Sequence, residues 1–141
     1  MNNVKQVIVM RKDLNMRKGK IAAQAGHACL AAVAKVAGAI GGSITYNYNK
    51  HKCELVKETQ EVTTYLQEWF DNSFTKICVY VNSERELLDI EQQAIEAGFV
   101  TALIKDNGTT EFNGVPTYTC LAFEPLPAEQ IDKITGNLPL Y

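Results

Sequence analysis

"VKQVIVMRKDLNMRKGKIAAQAGHACLAAVAKVA", Val4–Ala37, changes its periodicity partway through. Val4–Arg11 carries a continuous apolar centre, VIVM, the pattern of a strand covered on both faces. From about Gly19 to Ala37 the period becomes helical. Ile21, Ala25, Ala32 and Val36 share a face, with Ala22, Cys29 and Val33 beside them. Glycines in GAIGG, residues 38–42, then stop the helix, because glycine tolerates the left-handed turn at a helix end. A strand leading into a helix that packs back on it is the opening unit of an α/β sheet.

The rest of the chain extends that unit. Ser43–Lys52, SITYNYNKHK, is polar and aromatic without a clear period and reads as a loop or short hairpin. Leu55, Thr59, Val62, Leu66 and Trp69 recur at helical spacing and predict a second helix over about Glu54–Phe70. Thr75–Val81 is a second buried strand. Ser83-Glu84-Arg85-Glu86 is a capping box opening a helix that ends at Gly98. FVTALIK (99–105) and TYTCLAFE (117–124) are two further strands joined by a loop of hairpin length, and PAEQIDKITG (127–136) closes with a short helix between proline and glycine. Strands joined by helices pair parallel, and strands joined by a hairpin pair antiparallel. The expectation is a single α/β domain over residues 1–141. It has three α-β-α layers and a mixed four-stranded sheet, three strands parallel and the last antiparallel, with an extended helical or loop insertion at about 38–64.

Composition narrows the function classes. At 141 residues and a formal net charge of −2, the chain is long enough for one core and lacks the overall basicity of a nucleic-acid coat, although a local basic face is compatible with that balance. Cys29, Cys53, Cys78 and Cys120 show no C-x-x-C spacing and read as reduced thiols. Only His27 and His51 could add to them, so no zinc site, metal or cofactor is expected. MNNVKQVIVMRKD lacks the apolar core of a signal peptide, and ACLAAVAKVAGAIGG, broken by Lys35, falls short of a membrane span. A cytoplasmic protein with no membrane partner is expected.

In open α/β sheets ligands bind beyond the carboxyl ends of the strands. There the first strand leads through Arg11, Lys12, Asp13, Arg17, Lys18 and Lys20 into the first helix, the third ends at Asp106, and the fourth begins near Thr117. DNGTT and VPT should therefore face MRKGK across a crevice. Each group also has an ordinary reading. The lysines can be solvated, although basic residues in a first turn oppose the helix dipole by roughly 0.3–1 kcal/mol. Gln24 and His27 share the Lys20 stripe and can form a polar face turned to water. Asp106-Asn107-Gly108 is turn chemistry. The pattern fits hydrolysis of an activated carbonyl compound with a phosphate-rich leaving group, and fits plain anion binding equally.

VIVMRKDLNMRKGKIAAQAGHACLAAV closely resembles the N-terminal signature of the type 2 peptidyl-tRNA hydrolases, and LIKDNGTTEFNGVPTYTCLAFEPLPAEQIDKITGNLPLY resembles their other signature. WFDNSFTKICVYVNSERELLDI is similar to their middle strand and following helix. The resemblance implies metal-independent cleavage of the ester between a peptide and the tRNA 3′ end, with peptidyl-tRNA as partner, and related proteins suggest a homodimer. It assigns catalysis to Lys20 (the second lysine of M-x-K-G-K), His27 (A-A-Q-x-x-H), Asp106 (D-A-G), Thr110 and Thr117. Arg11, Lys12, Arg17, Lys18 and Gln24 are then expected to bind tRNA. Asn107 replaces the alanine of D-A-G, Thr109 replaces a basic or polar residue, and the region from about Gly38 to Thr64 is longer than in the pattern. The rival expectations are a non-catalytic module binding tRNA or a protein, and an esterase for another nucleotide-linked substrate.

Overall fold

The computed structural model describes residues 3–57, 64–109 and 111–141. Strand β1 (Val4–Arg11) is followed by helix α1 (Lys18–Ala39), then by strands β2 (Gly42–Asn47) and β3 (Lys52–Lys57) and the short helix α2 (Leu66–Asp71). Strand β4 (Lys76–Val81), helix α3 (Glu84–Glu96), strands β5 (Thr101–Asp106) and β6 (Thr117–Phe123), the two-residue strand β7 (Leu126–Pro127) and helix α4 (Ala128–Thr135) complete the order.

The main sheet runs β4-β1-β6-β5, with β7 paired to the start of β1. The expected sheet is met in part. β1 and β4 are parallel, whereas β6 is antiparallel to both β1 and β5, so β1, β4 and β5 point one way. The opposed strand lies inside the sheet, leaving one parallel pairing, and β7 adds a fifth strand. Strand alternation sends Val7, Val9, Val79, Val81, Leu121 and Phe123 to one face, where Leu87, Ile90 and Ala94 of α3 and Ile131 of α4 cover them. Ile8, Met10, Cys120, Ala122 and Ala102 go to the other face, against Ala28 and Ala32 of α1.

Within α1 the buried residues are Gln24, Ala28, Ala32, Val33, Val36 and Ala37, while Ala22 is exposed. The face turned to the sheet is therefore rotated from the apolar stripe toward Gln24. By length and composition alone the helix is long and apolar enough to cross a membrane, a property that core helices share. Here its small side chains pack against β1, β5 and β6.

The predicted helix over Glu54–Phe70 is a correction. Lys52–Lys57 is a strand paired antiparallel with β2, Tyr46 opposite Cys53 and Ile44 opposite Leu55, and helix begins only at Leu66; residues 58–63 lie outside the described residues. The hairpin is closed by Asn47, whose Oδ1 accepts the N–H groups of Asn49 and Lys50 at 3.0 and 2.9 Å. Leu55 N–H is held by Gln67 Oε1 at 2.7 Å. Cys53 and Leu55 pack inward beside Val33, Trp69 and Phe70, so a period of two was hidden under an accidental helical one. At α3 the capping box forms as expected on one side: Ser83 Oγ accepts Glu86 N–H at 3.0 Å. The return bond goes one residue earlier, Asn82 N–H donating to Glu86 Oε2 at 2.5 Å.

Candidate active site

β5 delivers Asp106 to the carboxyl edge of the sheet, and in the β5–β6 ladder Thr117 is its direct partner. The connection then tightens. Gly108 has φ +82°, and a Cβ there would lie 2.3 Å from the Val115 carbonyl oxygen, so only glycine fits. Its N–H donates to Asp106 Oδ2 at 2.9 Å. Asn107 acts locally, its Oδ1 accepting from Thr109 N–H at 3.1 Å and Thr109 Oγ1 at 2.9 Å.

The first turn of α1 meets this corner. Lys20 Nζ donates to Asp106 Oδ1 at 2.7 Å, the two side chains only 15% and 10% exposed. One turn on, Gln24 Nε2 donates to the same oxygen at 3.3 Å, while Gln24 Oε1 accepts from Thr119 Oγ1 at 2.5 Å. Thr119 reaches α1 because of an irregularity: Ile104 pairs with Cys120 but Lys105 with Tyr118, which leaves Thr119 as the extra residue of a β-bulge. Bulges of this kind re-aim a side chain out of strict alternation. Thr119 was missed in the sequence, where the only signal was a hydroxyl within an otherwise apolar strand.

The electrostatics follow from these contacts. The Lys20 hydrogen bond holds the Asp106 carboxyl below its ordinary value. Desolvation opposes this, and the Gly108 N–H and the charges of Lys20 and His27 add to the lowering. His27 is exposed and reaches Asp106 through charge. Thr117 Oγ1 donates to Val115 O at 2.8 Å. Thr110 lies outside the described residues.

The basic residues divide. Arg11 is turned inward, forking onto Asp13 at 3.2 and 2.7 Å and donating to Tyr118 O at 3.1 Å, with its side chain 11% exposed. Arg17 is open, 89% exposed and 3.8 Å from Glu111. Lys18 is exposed, and Lys12 lies over the Tyr80 ring at 4.3 Å. Gln24 corrects the expectation of a polar side chain turned to water: it is 3% exposed and spends its amide inside the protein. Among the described residues no group of three or more His, Cys, Asp or Glu could hold a metal ion.

The architecture is that of a one-domain α/β protein whose polar groups converge at the carboxyl edge of a mixed sheet: one carboxylate held ionised, an ammonium on it, and cations around the first helix turn. The family model "Peptidyl-tRNA hydrolase PTH2" matches residues 4–141, and the chain belongs to that family. A peptidyl-tRNA hydrolase of Thermococcus onnurineus is 39% identical over 138 residues, covering 96% of each chain. One from Nanoarchaeum equitans is 40% identical over 138 residues, covering 98% of this chain and 99% of the relative. A Dictyostelium discoideum protein named probable peptidyl-tRNA hydrolase 2 is 36% identical over 97% of this chain and 54% of its own length. A solved structure of a protein of unknown function from Agrobacterium tumefaciens, 12% identical, shares the fold with a TM-score of 0.55 over 100% of this chain and 99% of that one.

Proposed function

We propose that the chain hydrolyses the ester between a peptide and the 3′ end of tRNA, and that Asp106 and Lys20 carry the reaction. The supporting observation is the 2.7 Å pair at the edge where family membership and the cationic helix start coincide. Water attacks the ester carbonyl carbon, its proton is taken up, and the ribose 3′-oxygen leaves with a proton. Asp106, ionised and held by three donors from Lys20, Gln24 and Gly108, is preorganised to orient the water. A carboxylate with a lowered pKa is a weak base, so its part is chiefly orientation, and His27 relays the proton outward. Lys20, with the hydroxyl of Thr110 or Thr117, stabilises the oxyanion.

Arg17 and Lys18, exposed at the start of α1, and Lys12 meet the tRNA backbone. Arg11 instead braces the end of β1. None of the chain's own steps calls for a metal. The enzyme is then cytoplasmic and homodimeric, and the β2–β3 region within residues 38–64 is an elaboration outside the chemistry. The test is release of tRNA from an N-blocked aminoacyl-tRNA by purified protein in EDTA. Turnover by the parent and its loss in Asp106→Asn are expected. No release by the parent, or release by Asp106→Asn within about threefold of it, which is under 1 kcal/mol, overturns the proposal.

A further inference from the structure

A second cluster on the α1 face of the sheet shares only Lys12 with the groups just assigned. Residues 139–141 run antiparallel along the outer edge of β4. Tyr80 N–H donates to Pro139 O at 3.0 Å, Leu140 bridges Val79, and Tyr141 N–H donates to Cys78 O at 3.0 Å. Alternation places the Tyr141 ring on the same face as Tyr80, and the two meet edge to face with centroids 5.9 Å apart. Lys12, just beyond β1, has its N–H fixed on Val81 O at 2.9 Å and its ammonium 4.3 Å from the Tyr80 centroid and 5.5 Å from that of Tyr141. Lys12 is exposed and Tyr141 is 42% exposed. Two rings and a cation on fixed backbone make a platform open to solvent.

A platform of this kind fits a nucleobase carried on a phosphate chain: the base stacks on a ring and the ammonium meets a phosphate. Its setting agrees. The start of α1 between it and Asp106 has no side-chain cap and no acidic residue in its first turn, with Lys18 and Arg17 exposed. Glu111 accepts from Arg17 N–H at 3.4 Å there, and Asp106 is already engaged by Lys20. Asp13 is occupied by Arg11, and Glu86, which lines a cleft with Tyr80, Asp89 and Pro139, is engaged by Asn82 N–H. β4 and β5 are separated by three strand spacings, about 14 Å, a span for about two nucleotides of extended single strand.

We propose that Lys12, Tyr80 and Tyr141 form a stacking subsite for a base of the single-stranded 3′ end of tRNA, about two nucleotides upstream of the esterified ribose. The inference rests on the hydrolase reading for its register but has a readout independent of turnover. Two substrates share one N-blocked peptidyl ester, carried on adenosine or on the trinucleotide CCA. Tyr141→Ala should raise KM for the trinucleotide ester about fivefold or more relative to the adenosine ester, with kcat and the thermal midpoint kept. Tyr141→Phe should retain the parent KM, and Lys12→Ala should flatten the salt dependence of KM for the trinucleotide alone. Equal effects of Tyr141→Ala on the two esters, or none, overturn the subsite. If the parent cleaves neither ester, the hydrolase reading is decided by the tRNA-release assay alone. Calorimetric binding of free CCA then decides the subsite: weakening by Tyr141→Ala supports it, and unchanged binding overturns it.

Discussion

Replacing Gln24 by methionine removes a buried amide while keeping its volume, and the cost can be worked from its contacts. The amide gives a hydrogen bond to a charged acceptor, Asp106 Oδ1, and receives one from the hydroxyl of Thr119, which is 0% exposed. A hydrogen bond to a charged group contributes about 1.5–3 kcal/mol, and a buried donor left without its acceptor costs about 1–3 kcal/mol. Both terms fall toward their lower ends. Asp106 keeps Lys20 and Gly108, and the Thr119 hydroxyl retains a weak partner in Cys120 Sγ at 3.7 Å. Gln24→Met should therefore destabilise by about 2–4 kcal/mol, or roughly 6–15 °C in Tm for a domain of this size. Thr119→Val alone should cost less, because it strands only the Gln24 carbonyl oxygen. The double variant should recover about 1–2 kcal/mol relative to the sum, since removing both partners leaves neither unsatisfied. Urea unfolding followed by fluorescence of the single tryptophan, Trp69, which is 2% exposed, reads all four corners of the cycle. Strict additivity would refute the Thr119–Gln24–Asp106 chain of contacts.

Other outcomes follow from the same corner and the core. Gly108→Ala should destabilise by more than the roughly 1–2 kcal/mol of a left-handed non-glycine residue, because its Cβ meets the Val115 backbone; Tm and kcat should fall together. Asp106 is held below its ordinary value when folded, so its stabilising contribution is complete above an unfolded pKa of about 3.9 and is lost as pH falls through the folded value. The urea midpoint should drop as pH falls below about 5, and Asp106→Asn should flatten that drop. Burial pushes the Cys120 thiol up to about 12, so it should resist thiol reagents at about pH 8 in the folded protein and react in denaturant. Rapid labelling of native Cys120, mapped by mass spectrometry, would contradict its enclosure.

The four long strands of the main sheet and the two long helices were legible because burial imposes a period that a sequence must carry. VIVM is apolar throughout and lies between α1 and the α3–α4 layer, and Ser83 and Glu86 cap α3 through local bonds. What failed to read out depends on contacts far apart in the chain. The position of β6 between β1 and β5 is set by pairing across more than a hundred residues, which no local pattern encodes. The β2–β3 hairpin hid because Leu55 and Leu66 fall on a helical repeat, although Leu55 packs as a strand residue.

Half of the candidate site was legible. Lys20 and Asp106, 86 positions apart, were expected across one crevice from strand order alone, and they meet at 2.7 Å. Gln24 was expected on a polar face because glutamine is usually solvated. It is buried because the bulge turns Thr119 toward it and Asp106 supplies the matching acceptor. A bulge is one extra residue in register and leaves no mark on periodicity, so neither Thr119 nor the inward turn of Gln24 could be read before the strands were paired.

The central claim is that Lys20 and Asp106 act as one unit on the ester. Its most direct test is a double-mutant cycle on single-turnover hydrolysis of N-blocked aminoacyl-tRNA at saturating enzyme, comparing the parent, Lys20→Ala, Asp106→Asn and the pair. Each single change should slow cleavage by about 10²–10³-fold, and the double variant should be about as slow as the slower single one, because groups acting together lose their effect together. Single variants within about threefold of the parent, or effects that multiply in the double variant, would contradict the account.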